Sequence, residues 1–252
     1  MKTTLNKRPF IISRSTAPGH GHFGHHWTGD IVSDWSSMRW SISSILNFNL
    51  FGIPMVGADI CGFNGNTTEE LCARWHQLGA FYTFARNHNT DDAIDQDPAA
   101  LGPYVIQAAK YALLVRYAHL PYLYTLFYNV HQNGGTVLRP LFFEFPGDQN
   151  SYKIDTQFMW GSSMMIAPAL LPNQKKVFYF VNLISNVNHF LFFFLIPQSQ
   201  RLMYIFPKEH GILSVIINES KDVVNLYQCL HYQHIQVFII VLDQLYQYRN
   251  QI

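Results

Sequence analysis

The sequence predicts an α/β fold, and three observations carry that expectation. Short β-branched and aromatic runs alternate with helical stretches between residues 9 and 120. Three polar-aromatic stretches each follow an apolar run: His26-Trp27-Thr28-Gly29-Asp30, Gly57-Ala58-Asp59-Ile60-Cys61-Gly62-Phe63 and Phe84-Ala85-Arg86-Asn87-His88-Asn89. The recurring order of strand, polar loop, helix and strand is how an α/β barrel builds its catalytic rim. These loops set an acid, a base or a guanidinium beside Trp or Phe. Hydroxyl-rich, flat-faced substrates need that mixture for bidentate hydrogen bonds and stacking.

Each element has a local cause. Residues 9–13 form a β-branched, aromatic run that ends in polar loop residues. Ser33 and Asp34 are positioned to cap a helix whose apolar residues Trp35, Met38, Ile42, Ile45 and Leu46 recur at helical spacing. Residues 53–56 read as another strand. Thr67-Thr68-Glu69-Glu70 fits a capping box, followed by Leu71, Trp75 and Leu78 on one helix face. Residues 79–84 read as a further strand. Pro103 opens a long apolar helix, bent at Pro121 and ended by Gly134-Gly135. From residue 136 short strands take over, at 137–145 and 158–168, broken by Pro and Gly; a β-rich domain is expected over 136–177. Residues 178–252 contain no Ala, no Trp and a single Gly. Ala and Gly are among the commonest residues of globular chains, so this tail is expected to be foreign to the domain before it. An unusual but genuine β domain is the alternative.

Composition excludes several classes of function. With 252 residues and 48% hydrophobic content, the chain holds one large domain or parts of two. A net charge of +1 without any basic run predicts no nucleic-acid interface. The apolar cluster at 190–196 falls far short of the ~20 residues of a membrane span, so none is expected. No signal peptide is visible at the N-terminus. Cys61 and Cys72 flank a loop that carries the sequon Asn66-Thr67-Thr68, which suggests an oxidising, glycosylating compartment. Two free thiols in a cytosolic protein are the even alternative. His20, His22, His25 and His26, spaced H-x-H-x-x-H-H in a Gly-rich loop, have the donors to gather zinc or copper. No Cys, Asp or supporting pattern accompanies them, so no functional metal site is expected.

Five motifs stand in order at compatible spacing: Arg14-Ser15-Thr16, His26-Trp27-Thr28-Gly29-Asp30, Asn47-Phe48-Asn49-Leu50-Phe51-Gly52-Ile53-Pro54, residues 57–63, and Arg86-Asn87-His88-Asn89. Together, over residues 8–177, they resemble glycoside hydrolase family 31. The resemblance implies a (β/α)8 barrel that hydrolyses terminal α-glucosidic bonds of maltose-, glycogen- or starch-type oligosaccharides with retention and without a cofactor. It implies that residues 1–135 are the C-terminal half of that barrel and that 136–177 begin a β-sandwich domain. Asp30 falls on the acid/base. That role requires a pKa above the ~3.9 of a free Asp, and both desolvation by Trp27 and a nearby nucleophile carboxylate would raise it.

Arg14 and His88 match sugar-binding residues, Trp27 and Phe63 match aromatic walls, and Asp59 matches a rim carboxylate supported by Arg86. From the cysteines and the sequon, a disulfide between Cys61 and Cys72, glycosylation at Asn66 and a parent protein of the secretory pathway are expected. Structural alternatives exist for several of these. Asp30 would serve as a turn residue, His88 as a capped loop histidine, and Phe63 and Trp35 as plain core.

The chain also departs from the family pattern. The nucleophile's Trp-x-Asp-Met-Asn-type motif, on an earlier strand, has no match, so the chain is expected to be a fragment inactive by itself. Ile31, Ala17, Thr83 and Ala85 stand where Asn or a small polar residue, Phe, Pro and Ser are usual. The competing expectations are a non-catalytic carbohydrate-binding pseudoenzyme and a truncated gene product.

Overall fold

Four short parallel segments lie side by side in chain order. β1 (Ile12–Ser13) pairs with β2 (His25–Trp27), and β2 pairs with β3 (Val56–Gly57), in registers Ile12 to His25 and His26 to Val56. Past Ala58 the same run continues as β4 (Asp59–Ile60), which pairs in parallel with β5 (Arg86–Asn87). Between β3 and β4 the chain therefore changes partner, from the strand before it to the strand after it. The structure, a computed structural model, describes residues 6 and 9–174, together with the backbone of 190–191, 205–208 and 211–214. The expectations placed on the rest of the 178–252 tail lie outside the described residues.

Helices cross between these strands. α1 (Trp35–Leu50) starts as expected: Asp34 Oδ1 accepts the Ser37 amide at 2.6 Å, which satisfies one of the open donors of the first turn. Met38, Ile42, Ile45 and Leu46 are its buried face. Trp35 is half-buried against that core, with the Arg74 guanidinium over its ring at 5.8 Å.

α2 (Glu69–Gly79) corrects one expectation. Its cap is Thr68, whose hydroxyl accepts the Leu71 amide at 3.3 Å, so the capping box on Thr67 does not form. Glu70 becomes the second helical residue and is held instead by Arg74 Nε at 2.9 Å and the Asn173 amide at 2.8 Å. The expected apolar face of Leu71, Trp75 and Leu78 is buried. Leu71 through Gly79 are all buried, because α2 is covered on both sides by the sheet and by α3 (Pro103–Asn133).

Residues 79–84 are not a strand, which overturns that expectation. Helical turns continue through Ala80 and Tyr82, and the α3 residue Arg116 donates to the carbonyls of Ala80 and Tyr82 at 2.6 Å and of Thr83 at 3.3 Å. A half-buried cation thus takes acceptors that a ladder would need. Thr83 supplies the link to β3 with its side chain: the hydroxyl accepts the Val56 amide at 2.9 Å and donates to the Val56 carbonyl at 3.0 Å.

α3 runs without interruption through Pro121 to its cap at Gly134. Beyond it, among the described residues, lies a further sheet of six strands. β6 (Leu138–Arg139), β7 (Phe158–Trp160) and β8 (Met164–Ile166) pair antiparallel, and β9 (Phe190–Leu191) joins β8 in parallel. β10 (Ile205–Lys208) and β11 (Gly211–Ser214) complete it from the tail. The expected strand over 137–145 shrinks to two residues. Pro140 has no amide to donate, and the chain turns there into a single helical turn, Leu141–Glu144.

The six-stranded sheet and the parallel strands share a core. Trp160 Nε1 donates to the Phe81 carbonyl at 2.7 Å, and buried Asn49 accepts the amides of Val137 and Leu138 at 3.1 and 2.9 Å. Among the described residues no helix is long and apolar enough to cross a membrane.

Candidate active site at the strand ends

The residues singled out from sequence gather at the C-terminal ends of the parallel strands. Arg14 follows β1, Trp27 closes β2 with Asp30 three residues on, Asp59 opens β4, and Arg86 opens β5 with His88 just beyond. Backbone geometry aims them there: parallel strands end on the same side, and each is followed by a loop.

Two arginine–carboxylate pairs organise the site. Arg14 Nη1 lies 3.5 Å from Asp30 Oδ2, with side-chain exposures of 60% and 45%, so this pair faces solvent. Arg86 Nη2 donates to Asp59 Oδ1 at 2.7 Å, and here Asp59 is 1% exposed. Arg86 also lies over the Trp27 ring at 5.2 Å and the Phe84 ring at 5.5 Å, so aromatic faces cover a cation bound to a buried acid. Burial pushes the Asp59 carboxyl up, Arg86 and then His88 pull it down, and Asp30 adds a smaller upward push. Phe63 and His88 face each other at 5.1 Å between ring centroids. Asp59 Oδ2, Arg86 Nε, Trp27 Nε1 and Thr28 Oγ1 are all buried without a hydrogen-bond partner. Buried polar atoms of this kind cost about 1–3 kcal/mol each, and four of them lie together at one set of strand ends.

Gly29 makes the Arg14–Asp30 approach possible. Its φ is +78°, and a Cβ there would overlap the Arg14 guanidinium. The loop carrying Asp30 is zipped to the loop carrying Phe63. Ile31 accepts the amides of Phe63 and Asn64 at 2.8 and 3.0 Å, the Asn64 side chain donates to the Asp30 carbonyl at 2.8 Å, and Ser33 Oγ donates to the Cys61 carbonyl at 2.6 Å. Asn64 escaped sequence reasoning, and Ser33 was expected there only as a helix cap, because both act on backbone atoms that no side-chain pattern exposes. Ile31, a departure from the family pattern, contributes here through its carbonyl.

Cys61 and Cys72 are joined in a disulfide with Cα atoms 4.5 Å apart, which ties the site loop to α2. His76 lies near both sulfurs, but the disulfide leaves no thiolate there to ligate a metal. Reducing this bridge should destabilise the fold by a little under about 3 kcal/mol, since the loop it closes is short. Denaturant melts with and without reductant measure the loss. Alkylation of both cysteines in unreduced peptide maps would show instead that the bridge does not form.

The remaining candidates sit apart from this cluster. Asn66 is exposed, with Oδ1 accepting the Ile94 amide at 2.9 Å. The histidines are occupied separately: His20 Nε2 meets Ser13 Oγ at 3.2 Å and the His25 carbonyl at 3.3 Å, while His26 stacks on Phe48 at 3.6 Å. Burial lowers the His26 pKa to about 4, so its ring is neutral at ordinary pH.

Comparison with known proteins agrees with this geometry. Residues 1–126 match the glycosyl hydrolases family 31 TIM-barrel domain, and residues 134–183 match the glycosyl hydrolase family 31 C-terminal domain. Lysosomal alpha-glucosidase of Rattus norvegicus is 53% identical over 174 residues, which is 69% of this chain and 18% of that protein. Probable maltase-glucoamylase 2 of Homo sapiens is 53% identical over 175 residues, 69% of this chain and 7% of that protein. The chain thus spans less than a fifth of the length of either relative. A crystal structure of glucosidase II alpha subunit superposes with a TM-score of 0.64 at 36% identity, covering 67% of this chain and 18% of that one. Two family domains in order along most of the chain, with these identities, place it plainly: the chain belongs to glycosyl hydrolase family 31.

Proposed function

We propose that the chain carries the acid/base and sugar-binding part of a retaining α-glucosidase site, acting on terminal α-glucosidic bonds of maltose- or starch-type oligosaccharides. The observation that carries this reading is the solvent-facing Asp30 beside Arg14, in the loop after a strand adjacent to the run that carries the buried Asp59–Arg86 pair. Asp30 is the acid/base. Arg14 and His88 bind sugar hydroxyls, Trp27 and Phe63 wall the pocket, and Asp59 with Arg86 fixes its floor. The parallel strands are adjacent members of a (β/α)8 barrel, and residues 136–177 begin a β-sandwich. Domain limits of 1–135 and 136–177 belong to the same reading, with 178–252 a tail foreign to the family beyond the end of the match at residue 183. Asn66 is the glycan acceptor, and the disulfide fits a secretory-pathway parent.

Retaining hydrolysis needs a second carboxyl about 5 to 5.5 Å from the acid. No nucleophile motif of the family's type occurs in the 252 residues. The chain accordingly binds glucose-configured ligands without turning them over. Calorimetric titration with a glucose-configured iminosugar tests this: binding is expected, and Arg14→Lys should weaken it by about tenfold, because a point-charge ammonium cannot reproduce the planar fork. Absence of binding by the unaltered chain would remove the proposal, and unchanged affinity in Arg14→Lys would remove Arg14 from it.

A further inference from the structure

The loop between β5 and α3 is solvent-facing along most of its length, yet it buries Gln96, 3% exposed, beneath the strand ends. Flanked by Asp95 and Asp97, this residue reads in sequence as part of a solvated polar turn. Its carboxamide does something else. Nε2 lies 3.2 Å from the Ile60 carbonyl, 3.0 Å from the Gly62 carbonyl, 3.1 Å from the His88 carbonyl and 3.0 Å from Asn87 Oδ1. Asn87 Nδ2 returns a bond to the Gln96 carbonyl at 2.8 Å. Two of these acceptors flank the Phe63 loop, and the other two belong to the segment that carries His88. An amide has two hydrogens, so they are shared among four acceptors at the ends of β4 and β5 and in the loops that follow them.

We propose that Gln96 is a positioning residue that fixes the gap between the Phe63 ring and the His88 imidazole. This rests on the reading that those two groups grip the sugar. No strand hydrogen bonds hold the two residues together, since both lie past the ends of β4 and β5. The Thr90 amide bonded to the Phe63 carbonyl at 3.2 Å is a further tie on the outer side, and Gln96 is the inner one. Only a side chain that donates and carries no charge suits this place. A carboxylate of the same shape would set lone pairs against four acceptors, and an apolar side chain would leave the buried carbonyls unpaired.

The test is nuclear magnetic resonance of the full chain with labelled histidine and glutamine, His88 being assigned through His88→Asn. In the unaltered chain the His88 ring protons should be shifted by the Phe63 ring, and Phe63→Leu should abolish that shift. Gln96→Met should abolish it as well and weaken iminosugar binding by about tenfold, with dispersion elsewhere kept. A Gln96→Met chain that keeps both the ring shift and the affinity would overturn the proposal. Should Gln96→Met unfold, the unaltered chain still decides: the Gln96 side-chain protons should exchange slowly and shift when the iminosugar binds. Rapid exchange, or no response to bound ligand, would overturn it equally. If the unaltered chain binds no iminosugar, the functional reading fails, while the ring shift and amide protection still judge Gln96.

Discussion

Arg86→Met should destabilise the fold by about 3 kcal/mol at neutral pH, near the lower end of the range for breaking a buried ion pair. The lower end applies because the Arg86 side chain is 32% exposed while Asp59 is 1% exposed. The cost comes from the partner left behind. Asp59 would keep one buried oxygen that already lacks a hydrogen bond and lose the donor on the other. Its carboxyl is pushed up by burial even with Arg86 present, and without the guanidinium it must rise further. The sign follows from that direction. A folded-state pKa above the unfolded one means the native state holds its proton more tightly, so the variant loses stability as pH rises through the folded pKa and regains it on acidification. Urea melts at pH 5 and pH 7.5 should therefore differ more for Arg86→Met than for the unaltered chain. Arg86→Met combined with Asp59→Asn should recover most of the loss. A variant destabilised by well under 1 kcal/mol, or equally at both pH values, would show that Asp59 is not dependent on Arg86.

The sequence exposes some of this arrangement and conceals the rest for physical reasons. The cap at Asp34 and the apolar face of α1 were legible because both are local: a side chain meets its own helix, at helical spacing. The grouping of Arg14, Asp30, Asp59 and Arg86 was legible only through a family resemblance, since those residues are far apart in the chain. Segment 79–84 misled because its Phe, Tyr and Thr content favours a strand, while Arg116, some thirty residues on, claims its carbonyls. Gln96 gave no signal at all. An amide whose partners are mostly main-chain carbonyls leaves no pattern of neighbouring types, and the acids on either side of it suggest water. The Thr68 cap differed from the expected Thr67 by one position, because Thr67 is buried and turns its hydroxyl to the Thr68 carbonyl at 3.5 Å.

Purified residues 1–252 should show no measurable turnover of maltose, even where they bind a glucose-configured iminosugar. On the proposed reading the loss is complete, because the family's nucleophile motif has no match in these 252 residues. Retention requires a carboxylate to attack the anomeric carbon while the acid protonates the departing oxygen. Asp30 is free for the second task, exposed and paired only loosely with Arg14 at 3.5 Å. Asp59 is badly placed for the first. One of its oxygens is held by Arg86 at 2.7 Å, both are buried, and hydrogen bonding of that kind lowers the nucleophilicity that attack would need. An acid without a partner carboxylate cannot form the glycosyl-enzyme intermediate, whatever the affinity of the pocket. Glucose release from maltose and nitrophenol release from an activated aryl α-glucoside should both stay at the level of a buffer control. Turnover of maltose that disappears in Asp30→Asn would defeat this expectation. Asp59→Asn would then be the next variant, because loss of turnover there too, with nitrophenol release lost as well, would make Asp59 the nucleophile and require Arg86 to leave it during the reaction.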